Sequence, residues 1–143
     1  MTYTSDLLDG MARLLDAEGV GTYRPDGVYA ADDTAIAIAD MPPAPDRVIC
    51  LSAYPVEDSP ALTDTVTGVQ VRTRASTDPR AVADLDDQVL DVLNGSGPHA
   101  WGAARVQLIY RQSAADIGAD TTGRRERASN YYLLAHRAGR HLE

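Results

Sequence analysis

The chain has 143 residues and a formal net charge of −8, with thirteen arginines, no lysine, no phenylalanine and a single cysteine, Cys50. One thiol excludes an intramolecular disulfide and a cysteine zinc site, the negative charge disfavours general nucleic-acid binding, and no run approaches the ~18 consecutive apolar residues of a membrane span. The length suits one domain, read as residues 1–140, with residues 141–143 set apart as a tail whose Leu-Glu ending matches a cloning scar.

The first residues, MTYTSDLLDG, have neither a basic region nor a long apolar run, so no signal peptide is expected. A helix is expected over residues 6–18, capped by Thr4 or Ser5 and ended by Gly19. Leu7, Leu8, Met11, Leu14 and Leu15 share one side of it, and Asp9 and Arg13, four apart, can pair on the other. Pro25-Asp26-Gly27 is a turn. Residues 34–40 read as a short strand, PPAPD breaks the chain, and residues 47–54 (RVICLSAY) read as a strand apolar on both faces and therefore central.

PVEDSPALTD reads as an acidic loop. A strand over residues 65–74 then puts Val69, Val71 and Thr73 on one face and Gln70, Arg72 and Arg74 on the other. Asp78 is a good N-cap, Pro79 suits the first helical position, and the next helix is expected over residues 79–93. Val82, Leu85, Val89, Val92 and Leu93 form its apolar face, and Asp84, Asp87 and Asp91 lie opposite. GSGPHAWG reads as a loop. AARVQLIYRQ reads as a strand with Val106, Leu108 and Tyr110 on one face and Arg105, Gln107 and Arg111 on the other. Residues 113–126 read as a long polar connection, and residues 127–137 as the last strand. Helices and strands do not alternate regularly. The fold class is therefore α+β, a mostly antiparallel sheet of about five strands with two helices packed on one face.

No catalytic pattern emerges. There is no G-x-S-x-G elbow, and no motif frames His99, His136 or His141. Asp32-Asp33 and Asp86-Asp87 lack the EF-hand loop; Asp32-Asp33 reads as a turn before a strand, and Asp84, Asp87 and Asp91 read as a solvated helix face or a charged contact surface. NGSGPHAWG lacks the Lys-Ser/Thr of a phosphate loop, Arg124, Arg125 and Arg127 are interrupted by Glu126, and Cys50 reads as a buried structural thiol. What remains is an arginine-bearing strand face, an acidic loop and an acidic helix. Residues 1–70 carry twelve acids and three arginines, residues 71–143 nine acids and ten arginines. Such a distribution suits pairing with copies of itself or with other proteins.

Residues 48–95, VICLSAYPVEDSPALTDTVTGVQVRTRASTDPRAVADLDDQVLDVLNG, resemble the tail terminator (minor capsid protein) family of long-tailed bacteriophages, and TGRRERASNYYLLAHR, residues 122–137, resembles that family's last strand. The resemblance implies a non-enzymatic virion protein with no cofactor and no metal. Six subunits are expected to form a ring on the head-proximal end of the tail tube, after assembly in the host cytoplasm. The ring stops tube polymerisation and offers a docking surface to the head connector. Expected partners are further copies of the chain, the major tail tube protein and the connector or stopper protein. Genomic DNA passes through without sequence-specific contact, and no membrane is involved. The expected interface residues are Tyr54, Glu57, Asp58 and Asp64 near the acidic loop, Gln70, Arg72 and Arg74 on the strand face, and Ile117, Arg124 and Arg125 on the long connection. Arg124 and Arg125 are expected to approach acids such as Glu57 and Asp58 of a neighbour. Two other readings stay open: a head-completion or stopper connector, and a small cytosolic ligand-binding domain, against which the lack of a convergent polar cluster counts.

Overall fold

The computed structural model describes residues 2–142. Helix α1 spans Tyr3–Ala17 and buries Leu7, Leu8, Met11 and Leu15, while Leu14 is half-buried. It begins three residues before the expected start. Thr2 is the N-cap, its hydroxyl 3.4 Å from that of Ser5 and capping no backbone N–H, in place of Thr4 or Ser5. The reason is tertiary: Tyr3 is buried, with its hydroxyl 2.7 Å from that of Thr67, and this contact draws the first turn onto the sheet. Gly19, at φ +77°, ends the helix, and Arg13 pairs with Asp9 at 2.9 Å.

Helix α2 spans Pro79–Leu93, the expected range. The Asp78 carboxylate accepts the Arg80 N–H at 2.9 Å, Pro79 occupies the first helical position, and Val82, Leu85, Val89 and Leu93 are buried. Bonds from the Arg80 side chain and backbone hold the Asp78 carboxyl below its ordinary value. A group depressed in this way stabilises the fold above its unfolded pKa and loses that contribution as pH falls through the folded value. Asp78→Ala should therefore lower Tm by a few degrees at neutral pH, and the deficit should shrink in strong acid. Thermal melts of both proteins across pH check this.

The six strands are β1 (Thr34–Ile38), β2 (Arg47–Asp58), β3 (Asp64–Arg74), β4 (His99–Trp101), β5 (Ala104–Ala119) and β6 (Arg125–His136). They form one sheet in the order β1-β2-β3-β6-β5-β4, antiparallel throughout except for the parallel β1–β2 pair. The expectation of about five mostly antiparallel strands is corrected to six in a mixed sheet. β1 is so short that residues 39–46 return the chain to its starting level without a crossover helix, and Thr34 pairs with Arg47. The added strand is β4, three residues within the stretch read as a loop, where Ala100 pairs with Arg105.

Two more stretches read as loops are strands. The acidic residues Glu57 and Asp58 extend β2, paired with Val66 and Thr65; a bulge between Pro55 and Glu57 absorbs the proline. Residues 113–126 are not a long connection but the end of a β5–β6 hairpin, with Ala119 paired to Arg125. Its turn is built on Asp120, whose carboxylate accepts the N–H groups of Thr122 and Arg124, the Thr122 hydroxyl and the Arg124 guanidinium. Burial pushes the Asp120 carboxyl up, but these bonds outweigh it and hold it at about 2. Small or polar residues such as Ser113, Ala114, Ala115 and Asp116 carry no period-2 signal because neither face is covered, and cross-strand backbone bonds determine the strand instead.

Both helices pack on one sheet face, over a core that includes Ile49, Leu51, Val69, Val71, Tyr131 and Leu133. On the other face a small cluster of Ala35, Val48 and Cys50 is covered by Tyr29, Ala37 and Met41. β2 is thus apolar on both faces over its first half, as expected, and burial pushes the Cys50 thiol up. The rest of that second face has no helix over it. β5 has bulges between Val106 and Leu108, Arg111 and Ser113, and Asp116 and Gly118. The first of them overturns the expected face of Val106, Leu108 and Tyr110: Val106 and Ile109 are buried, whereas Leu108 and Tyr110 are exposed. One extra residue in a strand moves every later side chain to the other face.

Candidate functional site

The chain's arginines are mostly committed to its own carboxylates and carbonyls. Arg72 sits on the uncovered face, as expected, and its Nε donates to Glu126 at 2.7 Å. Arg74 shares that face but is 3% exposed, with Nε donating to the Asp46 carbonyl at 3.0 Å and Nη2 to the Pro45 carbonyl at 2.7 Å. Desolvation lowers its pKa. Arg74 therefore clamps the 42–46 loop to β3 instead of standing at the surface. Arg124 pairs with Asp120 at 2.9 Å and Asp46 at 3.2 Å and donates to the Pro43 carbonyl, and Arg125 pairs with Asp116 at 3.0 Å. These bonds make the β5–β6 hairpin a fixed projection.

The other expected interface residues divide between a face and an edge. Tyr54 lies over Gly68, whose missing Cβ leaves room for the ring, and its hydroxyl donates to Asn130 at 3.1 Å. Gln70, half-buried, stands in register with Ser52 and Asn130. The row Tyr54, Gly68, Tyr132 and Tyr110 crosses four strands, with Tyr110 and Tyr132 edge to face at 5.9 Å. Beside it run Val66, Leu134 and Leu108. This half-exposed aromatic and apolar row was not foreseen, because its β5 members reach the face only through the bulge at Gln107. Glu57, Asp58 and Asp64 are exposed around the β2–β3 turn, with Asp58 accepting the Thr65 hydroxyl at 2.9 Å. Ile117, 49% exposed, is the extra residue of the third β5 bulge.

A further cluster lies between α2 and the sheet. Asp86, with a fully buried side chain, accepts the Ser129 hydroxyl at 2.7 Å and lies 3.3 Å from Arg127 Nε and 3.5 Å from Arg111 Nη1. Tyr131 sits alongside, and burial, reinforced by the Asp86 charge, raises its phenol. Spacing in the sequence assigns Asp84, Asp87 and Asp91 to the exposed side of this helix and gives Asp86 no face. Its spacing, four after Val82 and three before Val89, is the signal that could have placed it inside.

His99 stacks on Trp101 at 4.5 Å, with Nε2 3.1 Å from the Ser96 hydroxyl, which lies 2.8 Å from the Leu93 carbonyl it donates to. Among the described residues no carboxylate orients the other nitrogen of that ring, and burial lowers its pKa. Among the described residues no group of three or more His, Cys, Asp or Glu could hold a metal, and no helix is long and apolar enough to cross a membrane.

The fold and its surfaces define a class: an α+β module whose charged groups rigidify its own hairpin and loops, with parts of both sheet edges and much of one sheet face left uncovered. The chain belongs to the bacteriophage tail terminator family, whose model, described as bacteriophage tail terminator protein, matches residues 14–137. It is a structural protein of the phage tail. The fold is similar to that of a chain in the virion of a native gene transfer agent particle, with a TM-score of 0.67 and 14% identity over 94% of this chain and 97% of the other. A comparison with curated proteins finds no match.

Proposed function

We propose that this protein forms a ring at the head-proximal end of the tail tube, ends tube growth there and offers the docking surface for the head connector. Family membership over residues 14–137 carries this reading. The likeness of the fold to that of a chain in the gene transfer agent virion agrees with it. The two ends of the sheet also support it. β1 and β4 are both short, so neither outer edge of the sheet is fully covered, and a subunit open at both sides can meet like neighbours head to tail. Six 15.3 kDa chains make a ring of about 92 kDa under closed symmetry.

Electron microscopy of particles assembled without this protein tests the proposal. The expected result is tails well beyond normal length, detached from filled heads. Filled heads beside free tails of normal length would instead assign the protein to the connector side and overturn the terminating role.

A further inference from the structure

The sheet has two free half-edges, placed diagonally. On one side β1 pairs with β2 only as far as Leu51, and the last link there is the Ala39 N–H to the Leu51 carbonyl at 2.8 Å. Residues 52–58 of β2 pair with β3 alone among the described residues. On the other side, β4 covers Ala104 to Val106, Gly95 and Ser96 exchange bonds with Ile109, and the Asn94 side chain accepts the Arg111 N–H. Residues 112–119 of β5 then pair with β6 alone among the described residues. Both half-edges carry an exposed aliphatic side chain on a bulge, Val56 (40% exposed) on β2 and Ile117 (49%) on β5. The β2 half-edge bears Glu57 and Asp58, and the β5 half-edge stands beside Arg125, which is one-third exposed. A rigid, exposed edge of this length is a template for another strand.

We propose that residues 112–119 of one copy pair antiparallel with residues 52–58 of the next, so that the sheet continues from subunit to subunit. This inference rests on the ring reading above and names its contact. Strand direction agrees. β2 and β6 run one way and β3 and β5 the other, so β5 meets the β2 of an equally oriented neighbour in the antiparallel sense. The shapes agree as well. β4 fills the edge above the free part of β5, and the neighbour's β1 fills the edge below the free part of its β2, so the two steps interlock.

Closure supplies a quantitative check. Through the cross-strand register, residues 112–119 lie level with about residues 47–52 of their own β2, so the neighbour is displaced along the strands by roughly 20 Å, at about 3.4 Å per residue. The repeat across β2, β3, β6 and β5 is four strand spacings, about 19 Å. Those two lengths correspond to a strand tilt of about 45°, at the upper end of the 35–45° at which closed sheets absorb their stagger. The diagonal placement of the free edges therefore supplies a stagger of the size that closed sheets show, whereas free edges at the same height imply upright strands. Pro55 cannot donate and leaves the seam short of a full ladder, which suits a contact that forms only when all subunits are present.

The test uses tails purified from a phage carrying paired cysteines in this protein, Ile117→Cys combined with Tyr54→Cys, Val56→Cys or Asp58→Cys, in a Cys50→Ala background. The three partners sample the register of the seam. After mild oxidation, at least one pair should give a ladder of covalent multimers ending at six, while each single-cysteine protein gives nothing above a dimer. A six-fold ring seen by electron microscopy on these tails, with no ladder from any pair, overturns the edge pairing and leaves the ring reading intact. Tails with no ring overturn both.

Discussion

Asp86→Ala should destabilise the fold by about 3 kcal/mol, the low end of the range for removing one partner of a buried ion pair. The carboxylate lies fully buried on α2, yet it serves three side chains of the sheet: Ser129 and Arg127 on β6 and Arg111 on β5. Alanine leaves the buried Ser129 hydroxyl without this acceptor and leaves two guanidinium groups facing each other. Those groups are 28% and 29% exposed and can turn toward water, which keeps the cost away from the top of the range. For a chain of this size the loss corresponds to a fall in Tm of about 10 °C. Asp86→Asn keeps the shape and the bond to Ser129 but not the charge, so it should fall between wild type and alanine. Urea unfolding of the three proteins decides the matter. An alanine variant within about 0.5 kcal/mol of wild type would mean that the cluster is a by-product of packing.

The second large effect is expected at Gly97. Its φ is +136°, and a Cβ there would collide with the Gln107 carbonyl oxygen, which is backbone and cannot swing away. The segment is held in place by Gly95 N–H to the Ile109 carbonyl at 2.7 Å and Ile109 N–H to the Ser96 carbonyl at 3.0 Å. Gly97→Ala must therefore break these links or strain them, for about 3 kcal/mol from overpacking and unfavourable dihedrals together. Gly95→Ala is the control: φ is +82°, but nothing lies within 4 Å of the added carbon, so about 1 kcal/mol is expected. Release of this segment also bares more of the β5 edge, so the Gly97 variant should scatter light on warming before it loses its circular dichroism signal. Equal melting curves for the two variants would show that the approach to Gln107 is not limiting.

The comparison of Asp86 with its neighbours shows where reading residues one element at a time stops working. Asp84, Asp87 and Asp91 are exposed on α2, as their angular position demands. Asp86 sits on the apolar side, where a lone carboxylate is too costly unless partners arrive from elsewhere. Those partners lie 25 to 43 residues further along the chain, and no local pattern announces them. Arg74 is a similar case. Alternation along β3 puts it correctly on the face of Gln70 and Arg72, but the 42–46 loop then folds over it and removes it from solvent.

The amino-acid sequence by itself determined the elements whose causes are local. Asp78 and Pro79 set the start of α2, Gly19 stops α1, the 3.6-residue spacing of leucines and valines marks the buried helix faces, and Val69, Val71 and Thr73 mark the covered face of β3. The resemblance of residues 48–95 and 122–137 to tail terminators was legible for a related reason, since a continuous strand-turn-helix run keeps its motif within one stretch of chain. Only the tertiary structure decided the extensions of β2 and β5, the bulge in β2 and the three in β5, the parallel pairing of β1 and the addition of β4. Each depends on backbone hydrogen bonds to a partner strand, and those bonds hold whether the side chains are apolar, acidic or proline. The two free half-edges belong to this second class, because an edge exists only by virtue of which strands stop short beside it.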